Sequence, residues 1–382
     1  MSDPFVHFKV MVKERASDLL LREGERPAIR VEGKIRYLTD ERFTPEDGEA
    51  LLSAILSPEE VAAFKVLMEK DVAFVVPGVG RFRANLFMQR KRTGFVFRHV
   101  QEKVPTLEEL HLPVNPIVRL ARLHRGLVLV TGIAGSGKST TLASIVEHMN
   151  EHSDRHIVTI EDPIEFVFKD KRSAITQREI GIDTPDFATA LKHVVRQTPD
   201  VILLGEMRDK ETIESAMQAA ETGHLVLSTL HTVNAVQTVE RIISFFPPHH
   251  HNLIRMQLSM LLEGVVSQRL IVKRGDFGRM PALELMMSTP TVRDLLAEGK
   301  TRELSKAIYE GAEHYGTMTF NQSLVRLLRL GKIGLEEALS SSDNPDELKL
   351  EMRGIMKGAR AGQFDPGSMA KKEVEKEPVN PY

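Results

Sequence analysis

The residues Gly132, Ile133, Ala134, Gly135, Ser136, Gly137, Lys138, Ser139 and Thr140 have the types and spacing that handle phosphate. They fit the pattern G-x-x-x-x-G-K-[ST] in full. Glycines at 132, 135 and 137 let the backbone bend tightly and approach a polyphosphate closely. Loop N–H groups and a following helix N-terminus offer partial positive charge to the anion. Lys138 adds a full charge at the β- and γ-phosphates, and Ser139 brings a hydroxyl that Mg²⁺ can use. A glycine-rich turn that merely carries a lysine is the alternative. The context speaks against it: Leu127–Thr131 reads as a buried strand, and Thr141–Met149 reads as a helix.

A phosphate loop alone gives binding; hydrolysis also needs Mg²⁺ geometry and a group that orients water. Three segments are candidates. After the apolar run His156–Ile160 come Glu161, Asp162 and Glu165. Carboxylates clustered at a strand end repel one another unless a cation sits among them, so metal or water positioning is the functional reading. A solvated acidic loop is the bland one. Val201–Leu204 ends in Gly205-Glu206, where Glu206 is placed to polarise an attacking water. Gly205 cannot ligate metal, which leaves that task to Glu161 or Asp162. Arg208 and Asp209 read as a local pair at a helix start. Finally, His224 and His231 frame the run Leu225–Thr229, and His231, at its end, is the better candidate to touch a phosphate. The run His249–His251 follows two prolines and is expected to be exposed, not a metal site.

These segments need a scaffold. At 382 residues the chain has room for two or three domains. Residues 1–100 read as a smaller α+β domain. Phe5–Glu14 has mixed helical spacing, and two strands are expected over Ala28–Leu38, turning near Gly33. Helix starts are expected at Thr44-Pro45 and Ser57-Pro58, with strands at Asp71–Val76, Gly80–Gln89 and Gly94–Val100. In the strand from Gly80, Phe82, Ala84, Leu86 and Met88 share one face, while Arg81, Arg83 and Asn85 share the other; Arg98 lies on the next strand. Alternation alone favours a solvated basic face over one presented to phosphates held by another domain or subunit. Residues 101–116, with Pro105, Pro113 and Pro116, read as an interdomain linker with a short helix at Leu107–Leu110. Residues 117–362 alternate strand and helix, with strands at Leu127–Thr131, His156–Ile160, Val201–Leu204 and Leu225–Thr229. That pattern is an α/β fold on a parallel sheet, mainly helical after Thr291. Residues 363–382 carry little apolar content and are expected to be a disordered tail.

Composition bounds the function. A net charge of −2 offers no general attraction to nucleic acid or to an anionic membrane. The absence of cysteine excludes a disulfide framework and a thiolate zinc site, and fits the cytosol. No signal peptide is expected at the N-terminus, and no stretch reaches the apolar length of a membrane span.

Taken together, the motifs resemble the secretion ATPase superfamily that drives type IV pili and type II secretion. Gly132–Thr140 resembles its Walker A loop, Glu161–Glu165 its acidic box, Val201–Glu206 its variant Walker B and Gly223–His231 its histidine box. Within the superfamily the match is to the pilus retraction group, PilT and PilU. The resemblance implies a RecA-like P-loop core after a PAS-like N-terminal domain. It implies ATP and Mg²⁺ as ligands and a cytoplasmic homohexamer, peripheral to the inner membrane through a pilus platform protein, with a paralogous retraction ATPase as a further partner. No nucleic acid and no direct membrane insertion are expected. It also turns Arg81, Arg83 and Arg98 into nucleotide contacts, because family arginines at matching positions reach the nucleotide. Thr291–Glu298 matches the PilT C-terminal helical motif only in part, and Ala338–Leu348 looks more like PilU, whereas Gly205–Asp209 is closer to PilT. The PilU-like reading leads. An extension or secretion ATPase, an accessory nucleotide-binding subunit and a nucleic-acid translocase are the alternatives.

Overall fold

The computed structural model describes residues 3–31, 33–100, 103–275 and 278–358. The expectation for 363–382 falls outside them. The chain divides into two compact units, residues 1–103 with 165–168, and residues 104–164 with 169–382.

In the first unit, helix α1 (Val6–Lys13) precedes strands β1 (Asp18–Arg22), β2 (Ala28–Val31) and β3 (Lys34–Tyr37). Helices α2 (Pro45–Ile55) and α3 (Pro58–Leu67) follow, then β4 (Glu69–Val76), β5 (Gly80–Gln89) and β6 (Arg92–Val100). Both helices start as the sequence suggests, with a proline in the first turn and a reciprocal capping box, Thr44 with Asp47 and Ser57 with Glu60. Each such cap is worth about 1 kcal/mol. The strands form one antiparallel sheet in the order β3-β2-β1-β6-β5-β4. Alternation on β5 places Phe82, Ala84 and Leu86 in the core. There the Phe8 ring meets Phe82 and Phe97 edge-on, at centroid distances of 4.8 and 4.6 Å. Met88, expected on the same face, is 37% exposed because it lies near the strand's end, where the core stops.

The second unit begins before its first helix. No helix forms at Leu107–Leu110. Turns closed by Thr106 and Glu109 occupy that stretch instead, and they bury Leu107 and Leu112. Then come α4 (Val114–Ala121), β7 (Gly126–Thr131), α5 (Lys138–His152), β8 (His156–Glu161), β9 (Ala174–Glu179), α6 (Phe187–Val194), β10 (Val201–Leu204), α7 (Lys210–Glu221) and β11 (Leu225–Leu230). Helices α8 (Ala235–Ser244) and α9 (His251–Leu261) lead into β12 (Leu262–Val272), β13 (Arg279–Met287) and α10 (Pro290–Glu298). Helices α11 (Leu304–Glu310), α12 (Ala312–Tyr315), α13 (Phe320–Arg329), α14 (Leu335–Ser341) and α15 (Pro345–Gly358) follow.

Its sheet runs β13-β12-β7-β11-β10-β8-β9. The four expected strands are present, paired in parallel in the order β7, β11, β10, β8. They are joined by three that the sequence reading lacked. Strand β9 adds in parallel to β8, β12 adds in parallel to β7, and β13 returns antiparallel to β12. Every residue of β7, β10 and β11 is buried, as expected for strands covered on both faces. Among the described residues no helix is long and apolar enough to cross a membrane.

Candidate active site

Four neighbouring parallel strands deliver their ends to one edge of the sheet, which is where an open α/β sheet builds its site. Strand β7 runs into the phosphate loop, β8 into Glu161, β10 into Glu206 and β11 into His231. The loop turns through positive φ at Gly132 (+151°), Gly135 (+74°) and Gly137 (+89°). At Gly132 a Cβ would collide with the Ser136 hydroxyl and the Gln268 carbonyl, at 2.4 and 2.5 Å. At Gly135 nothing lies within 4 Å, so the crest faces open space. Gly137 gives α5 no side-chain cap, which leaves its first N–H groups for an anion.

The loop fits a nucleotide polyphosphate on two further observations. The Ser136 hydroxyl is buried and lacks a hydrogen-bond partner among the described residues. Lys138, only 8% exposed, donates to the carbonyls of Gly132 (2.8 Å) and Ile133 (3.0 Å), so its charge is held inside the loop's curve. Ile133, Ala134 and Ser139 are exposed, and Thr140 is half-buried.

Beside Lys138 a chain of polar groups crosses three strand ends. Lys138 Nζ lies 3.5 Å from His231 Nδ1. His231 Nε2 lies 3.1 Å from Glu206 Oε1. Arg208 Nε donates to Glu206 Oε2 at 2.9 Å, and an Arg208 Nη is 3.6 Å from Asp162 Oδ2. Sequence reasoning paired Arg208 with Asp209. In the structure Asp209 caps α7 through Thr212 N (2.8 Å), and Arg208 turns instead to Glu206 and Asp162. The reason is local: a carboxylate at the N-cap is already satisfied by helix N–H groups. Glu161 accepts from the Thr159 hydroxyl (2.6 Å) and from Gln177 Nε2 (3.2 Å). Its Cα is 3.4 Å from where a Cβ at Gly205 would sit, so the acidic segment and the end of β10 share one corner.

Other candidates lie elsewhere. His224 is at the opposite end of β11, near the Ala219 carbonyl and the Thr222 hydroxyl. His251 Nε2 is 2.9 Å from the Phe246 carbonyl, and no group of three His, Asp or Glu that could hold a metal occurs among the described residues. Arg81, Arg83 and Arg98 belong to the first unit, with Arg83 opposite Arg98 in the β5–β6 register. Arg98 is engaged by Asp18, at 3.0 and 3.1 Å, and Asp18 also faces Arg30.

One site residue escaped the sequence reading altogether. Gln268, on β12, donates from Nε2 to the Ser136 carbonyl and accepts at Oε1 from the Thr141 hydroxyl, both at 2.7 Å. Alternation about Gln268 would have marked it only if β12 had been recognised as a strand.

Comparison with known proteins agrees with this geometry. Residues 92–312 match the family of type II/IV secretion system proteins. The type IV pilus ATPase PilU of Pseudomonas aeruginosa is 39% identical over 345 residues, which cover 90% of this chain and 90% of PilU. The pilus retraction ATPase PilT of the same organism is 43% identical over 334 residues, 87% of this chain and 96% of PilT. A crystal structure of the pilus retraction motor PilT with bound ADP superposes with a TM-score of 0.85 at 42% identity, covering 92% of this chain and 99% of that one. The chain is an ATPase and belongs to the PilT/PilU family of pilus ATPases within the type II/IV secretion ATPases.

Proposed function

We propose that this chain is an ATP-hydrolysing motor of the type IV pilus machinery that drives or assists pilus retraction, working as a closed homohexamer. The observation that carries the reading is the joining of Lys138, His231 and Glu206 at the mouth of the phosphate loop. Gly132–Thr140 wrap the triphosphate, with Lys138 at the β- and γ-oxygens. Glu206 accepts a proton from the attacking water, and His231 and Arg208 hold its carboxylate in place. Ser139, Glu161 and Asp162 are the residues that would hold Mg²⁺. A hydroxyl and one or two carboxylates suffice, because Mg²⁺ keeps waters and phosphate oxygens as its other ligands. When bound, it neutralises phosphate charge.

Arg81, Arg83 and Arg98 are assigned to the phosphates of a neighbouring subunit. Head-to-tail contacts in a ring set one subunit's surface against the next subunit's site. An arginine arriving there stabilises charge on the transferring phosphoryl group, and its arrival can be timed by domain movement. The ring is cytoplasmic, bound to the inner membrane through a pilus platform protein, with a paralogous retraction ATPase as a second partner.

Deleting the gene in a piliated host and imaging surface pili tests the reading. Pili that extend but do not shorten support it; loss of all pili points to an extension ATPase. ATPase activity of the isolated protein separates a motor from an accessory subunit.

A further inference from the structure

Gln268 stands one residue beyond the last pair that joins β12 to β7, Ser267 opposite Thr131. Those two hydroxyls are themselves 2.9 Å apart. Gln268 is 3% exposed, and both ends of its amide are in use. The donor end goes to the loop at Ser136, and the acceptor end takes the Thr141 hydroxyl in the first turn of α5. The opposite amide orientation would set an oxygen against the Ser136 carbonyl, so the chemistry admits only this one. Glycine permits the approach: a Cβ at Gly137 would lie 2.8 Å from Gln268 Nε2.

The strand that carries this amide is fixed from its other face. Arg269 donates to the Ser341 carbonyl (2.9 Å) and to Asp343 Oδ2 (2.6 Å), and its guanidinium lies 4.0 Å over the Phe320 ring. Neighbouring residues on a strand point to opposite faces. Anchoring Arg269 in the C-terminal helices therefore sets where Gln268 meets the loop.

We propose that Gln268 is a positioning residue for the nucleotide site, one that holds the Ser136–Gly137 segment against β12 so that the loop is preorganised for the diphosphate part of the ligand. The proposal rests on the reading of Gly132–Thr140 as the ATP site. Donors held in place beforehand cost no reorganisation when the anion arrives. Without the amide, the Ser136 carbonyl loses its partner, and the segment has a reason to rotate away.

The test is ADP binding by calorimetry on the full chain, with ATPase kinetics on the same samples. Gln268→Met keeps the length of the side chain and removes both bonds. It should weaken ADP binding by about tenfold, as expected for the loss of two hydrogen bonds of ordinary strength. KM for ATP should rise with it, while kcat at saturating ATP changes by less than about threefold. Thr141→Val keeps the shape of that side chain and removes only its bond to Gln268 Oε1, so it should weaken ADP binding by a smaller factor, about threefold. That variant answers the question even if the Met variant fails to fold. A Met variant or a Val variant that binds ADP as tightly as wild type overturns the proposal and leaves Gln268 a packing residue. Wild-type protein that binds no ADP would overturn the reading of the loop itself.

Discussion

His231 stands between the phosphate-loop cation and the carboxylate at the end of β10. Its Nδ1 is 3.5 Å from Lys138 Nζ, and its Nε2 is 3.1 Å from Glu206 Oε1. The Nε2–H tautomer satisfies both neighbours, accepting from the ammonium and donating to the carboxylate. The lysine of the proposed ATP site is thus joined through His231 to the carboxylate proposed to handle water.

Removing that link should separate binding from turnover. His231→Ala leaves the loop and Lys138 in place, so ADP affinity should stay within about threefold of wild type. Glu206 loses a partner that orients it, and kcat should fall about tenfold or more. Steady-state ATPase and ADP titration on one preparation check this. A kcat within twofold of wild type would show that His231 is a bystander.

Lys138→Ala should nearly abolish hydrolysis. It removes the phosphate-facing charge and the bonds to Gly132 and Ile133 without touching β7. Purified variant with wild-type turnover would place the site elsewhere.

Assembly should matter as well. ATPase activity per subunit is expected to rise as the protein associates, because Arg81, Arg83 and Arg98 are assigned to a neighbour's site. Arg83→Ala and Lys138→Ala subunits, each nearly inactive alone, should regain activity when mixed. In a mixed ring some interfaces join an intact loop to an intact arginine. Unchanged activity in Arg83→Ala, with no difference between monomer and assembly, would contradict action in trans.

Stability should carry the signature of Glu284. This β13 carboxyl accepts from Ala235 N at 2.7 Å, and burial pushes its pKa up to about 7 from 4.5. The folded chain therefore holds a proton that the unfolded chain releases. Its contribution is complete below about pH 4.5 and is lost as pH rises through about 7. Over that window the loss is at most about 3 kcal/mol. Gln, which cannot ionise, should remove it. Thermal melts should show Glu284→Gln gaining on wild type as pH rises from 5 to 8. A gap that stays constant across that range would mean the carboxyl is not held neutral.

Much of this was legible before any coordinates. The phosphate loop, the acidic segment, Gly205-Glu206 and His231 each sit beside a short apolar run, and a motif joined to a strand is local information. Strands β7, β8, β10 and β11 followed for the same reason. Strand β12 did not, because α9 passes into it between Leu261 and Leu262 without a turn residue, so one apolar run contains both helix and strand. Strand β9 is an edge strand, polar and partly exposed, with little hydrophobic signal. Gln268 was lost with β12, since nothing local ties it to Ser136, which lies 132 residues earlier in the chain. The turn of Arg208 toward Asp162 is likewise tertiary, settled by what β8 brings alongside, whereas its partner Glu206 lies only two residues away.

The central claim is that Glu206 activates water at a nucleotide held by Gly132–Thr140. Glu206→Gln keeps the shape of the side chain and loses its negative charge. Mg·ATP binding and single-turnover hydrolysis, measured on the same purified variant, test the claim most directly. The account predicts binding within about threefold of wild type and hydrolysis slowed by about a hundredfold or more. Loss of binding, with normal turnover of whatever nucleotide remains bound, would contradict it and make Glu206 a metal-holding or structural residue.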